Sequence, residues 1–300
     1  MSKWVKRTSL LLAGLAVLLI AATVAGKMMG ERKMMRTVAF STPPLSVEPD
    51  AAHIEQGRYL YNTRGCAECH GGNGAGLTVV HEGSLFVVAP NITRGPNGVT
   101  ANYKVEDWAR AVRHGVKPNG QPMLFMPSED YNRLTDEDMA ALVSYLQQMQ
   151  AAPGEQAVIQ TPVPYKVLYG FDVIKDAAEK IDHALPPSRP VPTAISAAYG
   201  AYVANACIGC HGAQLSGGKI PGGPPTWPAA ANLTPGKGSA MMRYPTPELF
   251  IAMLRTGRRP DGTAINPAMP FGSLGKMNET ELKALHAYLK TVPARQSGQR

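Results

Sequence analysis

The pentapeptide Cys-x-x-Cys-His occurs twice in this chain, as Cys66-Ala67-Glu68-Cys69-His70 and as Cys207-Ile208-Gly209-Cys210-His211. Coincidence is a poor explanation: with 4 Cys and 7 His in 300 residues, composition alone gives about 10⁻³ matches. The two copies use all 4 cysteines, so no thiol remains for a disulfide elsewhere. In this spacing two thiols can add across the vinyl groups of a haem, and the adjacent His is placed to ligate the iron. Cys66, Cys69, Cys207 and Cys210 are therefore expected to carry two covalent haem c groups, with His70 and His211 as iron ligands.

Other uses of paired cysteines fit less well. A Cys₄ zinc site could be built from two Cys-x-x-Cys pairs, but each pair here is followed at once by His, and the halves lie 141 residues apart. A thioredoxin-like redox pair needs a βαβ setting, and no β-rich run precedes either motif. Disulfides closed across a two-residue gap are less favoured still.

A haem iron held only by His has one open face. His70 is followed 56 residues later by Met126-Pro127, and His211 is followed 58 residues later by Met269-Pro270. Each Met lies eight residues ahead of an equivalent helix position, Leu134 or Met277, and follows a turn, Pro118-Asn119-Gly120 or Pro260-Asp261-Gly262. A Met in an irregular apolar loop is ordinarily core filler. The repeated offset instead favours Met126 and Met269 as the second iron ligands, a recognised haem ligation pattern. Met123 is the rival in the first copy, three residues out of register. His53, His81, His114, His183 and His286 could each replace a Met, but none recurs at the same place in both copies. Trp108 and Trp227 could lie at haem edges, although core packing is the commoner use of an aromatic.

The chain begins with Lys3, Lys6 and Arg7 and then Thr8 to Gly26, nineteen residues without a charge. That length is long for a signal peptide and sufficient for a membrane-crossing helix, so an uncleaved anchor is favoured over a removed leader. Residues 1–36 hold seven basic groups and one acid, while residues 37–300 hold 23 and 21. The formal charge of +8 is thus concentrated at the membrane end, where it would suit anionic head groups. Nothing in it points to nucleic acid.

The remaining chain divides into a tether (37–50), a first module (51–150), a Pro-rich linker (151–193), a second module (194–293) and a tail (294–300). Helices are expected from Ala51 to Arg64, from Val105 to Gly115 and after the cap at Thr135. In the second module they are expected from Thr246 to Gly257 and after Asn278. A short helix is expected within residues 165–181. Gly71 to Tyr103 reads as a long loop, and its Gly-Gly-Asn-Gly-Ala-Gly run lacks the Lys-Ser/Thr ending of a phosphate loop. The modules repeat closely: Gly200-Ala201-Tyr202 answers Gly57-Arg58-Tyr59, and Asn232-Leu233-Thr234 answers Asn91-Ile92-Thr93. Each of those Asn residues lies 21 positions after its His.

On these motifs each half resembles a class I cytochrome c domain. The tandem, with its Met-Pro loops, Asn-Ile/Leu-Thr stretches and Pro-rich connector, is similar to the cytochrome c subunits of membrane-bound alcohol and gluconate dehydrogenases. Those subunits usually carry three haems, whereas this sequence contains two motifs. The resemblance implies an all-α fold, with two tandem domains each wrapped around one haem, preceded here by the N-terminal transmembrane helix. The expected function is single-electron transfer between donor and acceptor proteins (a dehydrogenase, a quinol-linked complex or a terminal oxidase). Covalent haem attachment places the modules outside a bacterial inner membrane, in the periplasm. The competing reading is a dihaem peroxidase, which would need one iron open to peroxide; a Met in both modules argues against it. A subunit whose haems only secure its fold is the third reading, and it would coexist with electron transfer.

Overall fold

The structure is a computed structural model and describes residues 3–224 and 226–300. It opens with α1 (Lys3–Met34), longer than the uncharged stretch requires and exposed along residues 3–25. The first module contains α2 (Ala51–Thr63), α3 (Cys66–His70), α4 (Val105–His114) and α5 (Asp136–Gln148). The connector holds α6 (Val163–Gly170) and α7 (Ala177–Lys180). The second module contains α8 (Ala197–Val203), α9 (Ile208–His211), α10 (Pro247–Thr256), α11 (Phe271–Leu274) and α12 (Glu279–Leu289).

The helix boundaries follow from local chemistry. The side chains of Asp50, Thr135, Thr246 and Asn278 each accept a hydrogen bond from a first-turn N–H of α2, α5, α10 and α12, satisfying donors that have no partner within the helix. Pro247 opens α10, where its missing N–H costs nothing. Gly115 and Gly257 end α4 and α10 in the left-handed region, at φ 64° and 65°.

Each module is built on one close helix crossing, α2 on α5 and α8 on α12. A Cβ at Gly57 would lie 2.0 Å from the carbonyl oxygen of Ala141, and one at Gly200 would lie 2.0 Å from that of Ala284. Glycine at both places lets backbone meet backbone. Around these crossings lie the cores: Leu60, Tyr61, Trp108, Met139, Leu142 and Val143 in the first, and Val203, Phe250, Leu254, Leu282, Leu285 and Leu289 in the second. Trp108 is a core residue, packed edge-on against Tyr103.

Three features depart from the sequence reading. The fold is mostly helical but not all-α: β1 (Thr78–Glu82), β2 (Leu85–Val88) and β3 (Val158–Gln160) form an antiparallel sheet in that order. Thr78-Val79-Val80 and Leu85-Phe86-Val87-Val88 are β-favouring runs on either side of a Gly83-Ser84 turn, a hairpin signal inside what reads as a loop. Second, residues 37–50 are not a free tether. The Val38 N–H bonds the Gly120 carbonyl at 2.9 Å, Phe40 stacks on His183 at 4.5 Å and lies 4.4 Å from His114, and Leu45 and Val47 pack on the first core.

Third, two cations at the end of α1, Lys33 and Arg36, are held by the connector, while Arg32 stays exposed. Lys33 pairs with Asp172 and Glu179, Arg36 with Asp176, and Lys27 and Lys166 both with Glu31. The expected short helix within 165–181 is realised as α6 and α7, which carry or flank most of these partners.

Candidate haem-binding site

Both Cys-x-x-Cys-His segments fold into a single helical turn, and both histidines are followed by a glycine with positive φ, Gly71 at 74° and Gly212 at 79°. The chain then curls back, so that the His70 carbonyl accepts from Gly76 N–H at 2.9 Å and the His211 carbonyl from Gly217 N–H at 2.8 Å. No disulfide joins any of the four cysteines. Burial pushes Cys66 and Cys207 up to about 12 and Cys210 up to about 11, and raises Cys69 as well, so all four are neutral at pH 7. Among the described residues, no three His, Cys, Asp or Glu side chains converge to hold a metal ion, which is not what the Cys₄ alternative requires.

The histidines are oriented alike. Nδ1 of His70 lies 3.0 Å from the Pro90 carbonyl oxygen, and Nδ1 of His211 lies 2.8 Å from that of Ala231. A carbonyl oxygen can only accept, so each Nδ1 carries the proton and each Nε2 presents a lone pair. Burial lowers the pKa of both rings, which favours this neutral form.

Pro90 and Ala231 each immediately precede the repeated Asn. The Asn91 side-chain oxygen accepts from the Thr93 N–H and hydroxyl, both at 2.8 Å, and its amide donates to the Pro96 and Ala152 carbonyls. Asn232 does the same with Thr234 and the Arg295 carbonyl. The 21-residue recurrence therefore marks the turn that aims each histidine.

The Met-Pro loops are also alike. Pro127 (φ −80°, ψ 63°) and Pro270 (φ −79°, ψ 68°) occupy the centre of inverse γ-turns, with Ser128 N–H donating to the Met126 carbonyl at 2.9 Å and Phe271 N–H to the Met269 carbonyl at 2.8 Å. Proline suits that φ at no further conformational cost. Cys66 and Met126 pack on the first core and Cys207 and Met269 on the second, while Met123 is not among the residues on the first core. The remaining histidines have partners elsewhere: His53 with Asp50, His81 against Phe86, His114 with His183, and His286 with the Tyr244 carbonyl. Neutral thiols, an oriented imidazole with a free Nε2 and a thioether on the same core form a donor set that fits a covalently attached haem.

The two modules meet through these same segments. Asp130, four residues after Met126, accepts from Gly209 N–H inside the second pentapeptide at 2.6 Å. Ser273, four residues after Met269, donates its hydroxyl to Glu68 inside the first pentapeptide at 2.9 Å. Further out, the Tyr59 hydroxyl donates to Glu281 and accepts from Asn278 N–H, and the Tyr202 hydroxyl donates to Asp138 and accepts from Thr135 N–H. Equivalent positions meet equivalent positions, so the interface has approximate two-fold symmetry.

Arg64 breaks that symmetry. It makes a buried ion pair with Glu281 that has no counterpart across the interface, since the second module has two residues fewer between its Tyr and its Cys. Burial pushes the Asp130 carboxyl up to about 8, and Glu129 pushes it the same way against the Gly209 N–H. None of these interface partners was legible as functional; only the Tyr59/Tyr202 repeat gave a signal.

Comparison with known proteins agrees with this duplication. The Cytochrome c family matches residues 54–150 and 196–293. The chain is 26% identical over 293 residues to the fructose dehydrogenase cytochrome subunit of Gluconobacter japonicus, covering 85% of this chain and 57% of that protein. It is 32% identical over 121 residues to the gluconate 2-dehydrogenase cytochrome c subunit of Pantoea cypripedii, covering 38% of this chain and 27% of that one. It is 29% identical over 124 residues to the alcohol dehydrogenase (quinone) cytochrome c subunit of Gluconacetobacter polyoxogenes, covering 39% and 26%. The chain thus spans only part of the length of each of these relatives. With matches in both modules that together make up most of its length, the chain belongs to the cytochrome c family.

Proposed function

We propose that this chain is a dihaem carrier of single electrons, anchored in a bacterial inner membrane by α1 with its haem modules in the periplasm. Its donor is a dehydrogenase for a sugar, sugar acid or alcohol, as the names of its relatives suggest. Its acceptor is a further redox protein of the membrane. The observation that carries this reading is the duplication of one donor set: in each module a His with its Nδ1 engaged and a Met in an identical Pro-centred turn.

Cys66 and Cys69 would hold one haem, and Cys207 and Cys210 the other, with His70 and Met126, and His211 and Met269, as the respective iron ligands. A haem c so bound supplies one-electron chemistry at its iron. The protein's own residues do the rest. The Pro90 and Ala231 carbonyls orient the imidazoles and increase their basicity as ligands. The Met126 and Met269 thioethers would serve as the second protein ligand to each iron, which would deny that place to peroxide and favour Fe(II) relative to an all-nitrogen site. The apolar cores on which Cys66 and Cys207 pack exclude water and tune the potential. Asp130 and Ser273 each hold the other module's attachment turn against their own Met-Pro loop.

The test is to change Met126→Ala and Met269→Ala singly in the full chain. Each variant should convert one haem from low-spin to high-spin, lower that haem's potential and remove about half of the thioether–iron band at the red end of the ferric spectrum. Covalent attachment should survive, and Met123→Ala should leave the band intact. A wild-type protein with one high-spin haem that binds peroxide would replace the carrier reading with the peroxidase one.

A further inference from the structure

The connector helix α6 lies against α1 just where the uncharged stretch of that helix ends. A Cβ at Gly30 would fall 2.1 Å from the Lys166 carbonyl oxygen, and one at Gly170 would fall 2.2 Å from the Gly26 carbonyl oxygen. Backbone therefore crosses backbone, and the side chains of Val167 and Phe171 rest on Gly26. Gly26 is the last residue before Lys27, so α6 is held beside the segment of α1 that leaves the apolar stretch.

This element exposes more apolar surface than its surroundings account for. Val163 is 43% exposed, Leu168 42%, Phe171 47% and Val173 61%, and on α1 the neighbouring Met28 and Met29 are 49% and 48% exposed. Single exposed apolar residues are ordinary. Here four fall within eleven residues, on an element pinned to a helix long and apolar enough to cross a membrane. Most charges at this level are paired with one another, Lys27 and Lys166 on Glu31, Lys33 on Asp172 and Glu179, and Arg36 on Asp176, which leaves Arg32 and Lys175 outside these pairs. Neutralised charges beside exposed apolar side chains suit the boundary between head groups and acyl chains, where short amphipathic helices bury their apolar face.

We propose that α6 and the turn after it form a second membrane contact, with Val163, Leu168, Phe171 and Val173 seated in the bilayer interface beside the exit of α1. The inference rests on α1 being a membrane anchor and goes beyond it. The anchor alone would leave the modules free to tilt about the exit of α1, whereas a second contact beside it limits that tilt and so fixes which face of the modules looks down on the membrane. Because the seating is apolar, it does not require anionic lipid.

The experiment uses the full chain with both haems, one copy per phosphatidylcholine nanodisc, containing a phospholipid with a photoactivatable diazirine in its acyl chain. After illumination, insertion is mapped by mass spectrometry of tryptic peptides. The peptide Val167–Lys175 should carry label at a level comparable to residues 8–26, while Thr291–Arg295 stays at background. The double variant L168D/V173D should lose the label from that peptide, with label in α1 and the haem spectrum unchanged. Label in residues 8–26 with Val167–Lys175 at background would overturn the proposal and leave the anchor standing, as it would if a protein partner covers this face. Absence of label from both would remove the anchor reading and the proposal together. Labelling of Val167–Lys175 that appears only with phosphatidylglycerol would overturn apolar seating in favour of head-group charge.

Discussion

Asp130 accepts a hydrogen bond from the backbone N–H of Gly209, and this one contact ties the loop behind Met126 to the Cys-x-x-Cys-His turn of the other module. Its symmetry mate runs the other way, with the Ser273 hydroxyl of the loop donating to the Glu68 carboxylate of the turn. Each module's Met-Pro loop therefore braces its neighbour's Cys-x-x-Cys-His turn. Asp130→Ala should leave the Gly209 N–H unpaired and cost about 1–3 kcal/mol. Asp130→Asn keeps an acceptor in place and should cost less. Thermal unfolding followed at the haem bands checks both.

Arg64 and Glu281 have side chains only 6% and 2% exposed. Burial raises the Glu281 pKa, but Arg64 together with the Tyr59 and Tyr199 hydroxyls outweighs it and holds the group below its usual range. Arg64→Met strands a buried carboxylate and should cost about 3–5 kcal/mol. R64M/E281L should recover only part of this loss, because two tyrosine hydroxyls then lose their acceptor. Urea unfolding of the two variants, with the slope compared, is the measurement.

Gly57→Ala and Gly200→Ala should each destabilise their module. Alanine gains about 1 kcal/mol of helix propensity, but overpacking against a backbone carbonyl that cannot swing aside costs about 1–3 kcal/mol or more. Gly72→Ala, which meets nothing within 4 Å, is the control and should be near neutral. A Gly57 variant as stable as wild type would mean that the α2–α5 crossing tolerates separation.

Stability should fall in mild acid through His114. Burial, helped by His183, Arg113 and Arg110, takes its pKa from an ordinary 6.5 down to about 4. The unfolded chain thus takes up a proton below pH 6.5 while the fold resists, so this contribution is complete above that value and is lost as pH falls toward 4. The affected element is the strap that carries Phe40, which covers both His114 and His183. His114→Gln should flatten the melting-temperature profile between pH 7 and pH 5. An unchanged profile would place the acid sensitivity elsewhere.

Local chemistry made much of the molecule readable. Caps such as Thr135 and Asn278, glycine stops such as Gly115, and the core stripes of α5 and α12 all act within a few residues. What brings the modules together was not readable, because Asp130, Ser273, Arg64 and Glu281 act on partners 79 to 217 positions away, and nothing periodic marks them. Asn91 and Asn232 lie between these cases. Their recurrence was visible, yet their effect runs through the carbonyl of the preceding residue, and backbone groups leave no trace in composition. The hairpin at β1 and β2 was legible and was outweighed by the glycines around it.

If the chain is the membrane-anchored carrier proposed above, the clasp between α1 and α6 sets how it meets its partners. A free coil of the length of residues 37–50 would let a haem module wander over about 20 Å. Such a module could serve several partners in turn. With Phe40, Leu45 and Val47 packed down and Arg36 bound to Asp176, that radius is closed. The effective concentration of a haem edge at a partner in the same membrane is then very high or close to zero, with little between. On the proposed reading, electron delivery would then be a question of lateral encounter and standing assembly, and a partner would have to be built to the height at which the modules are held.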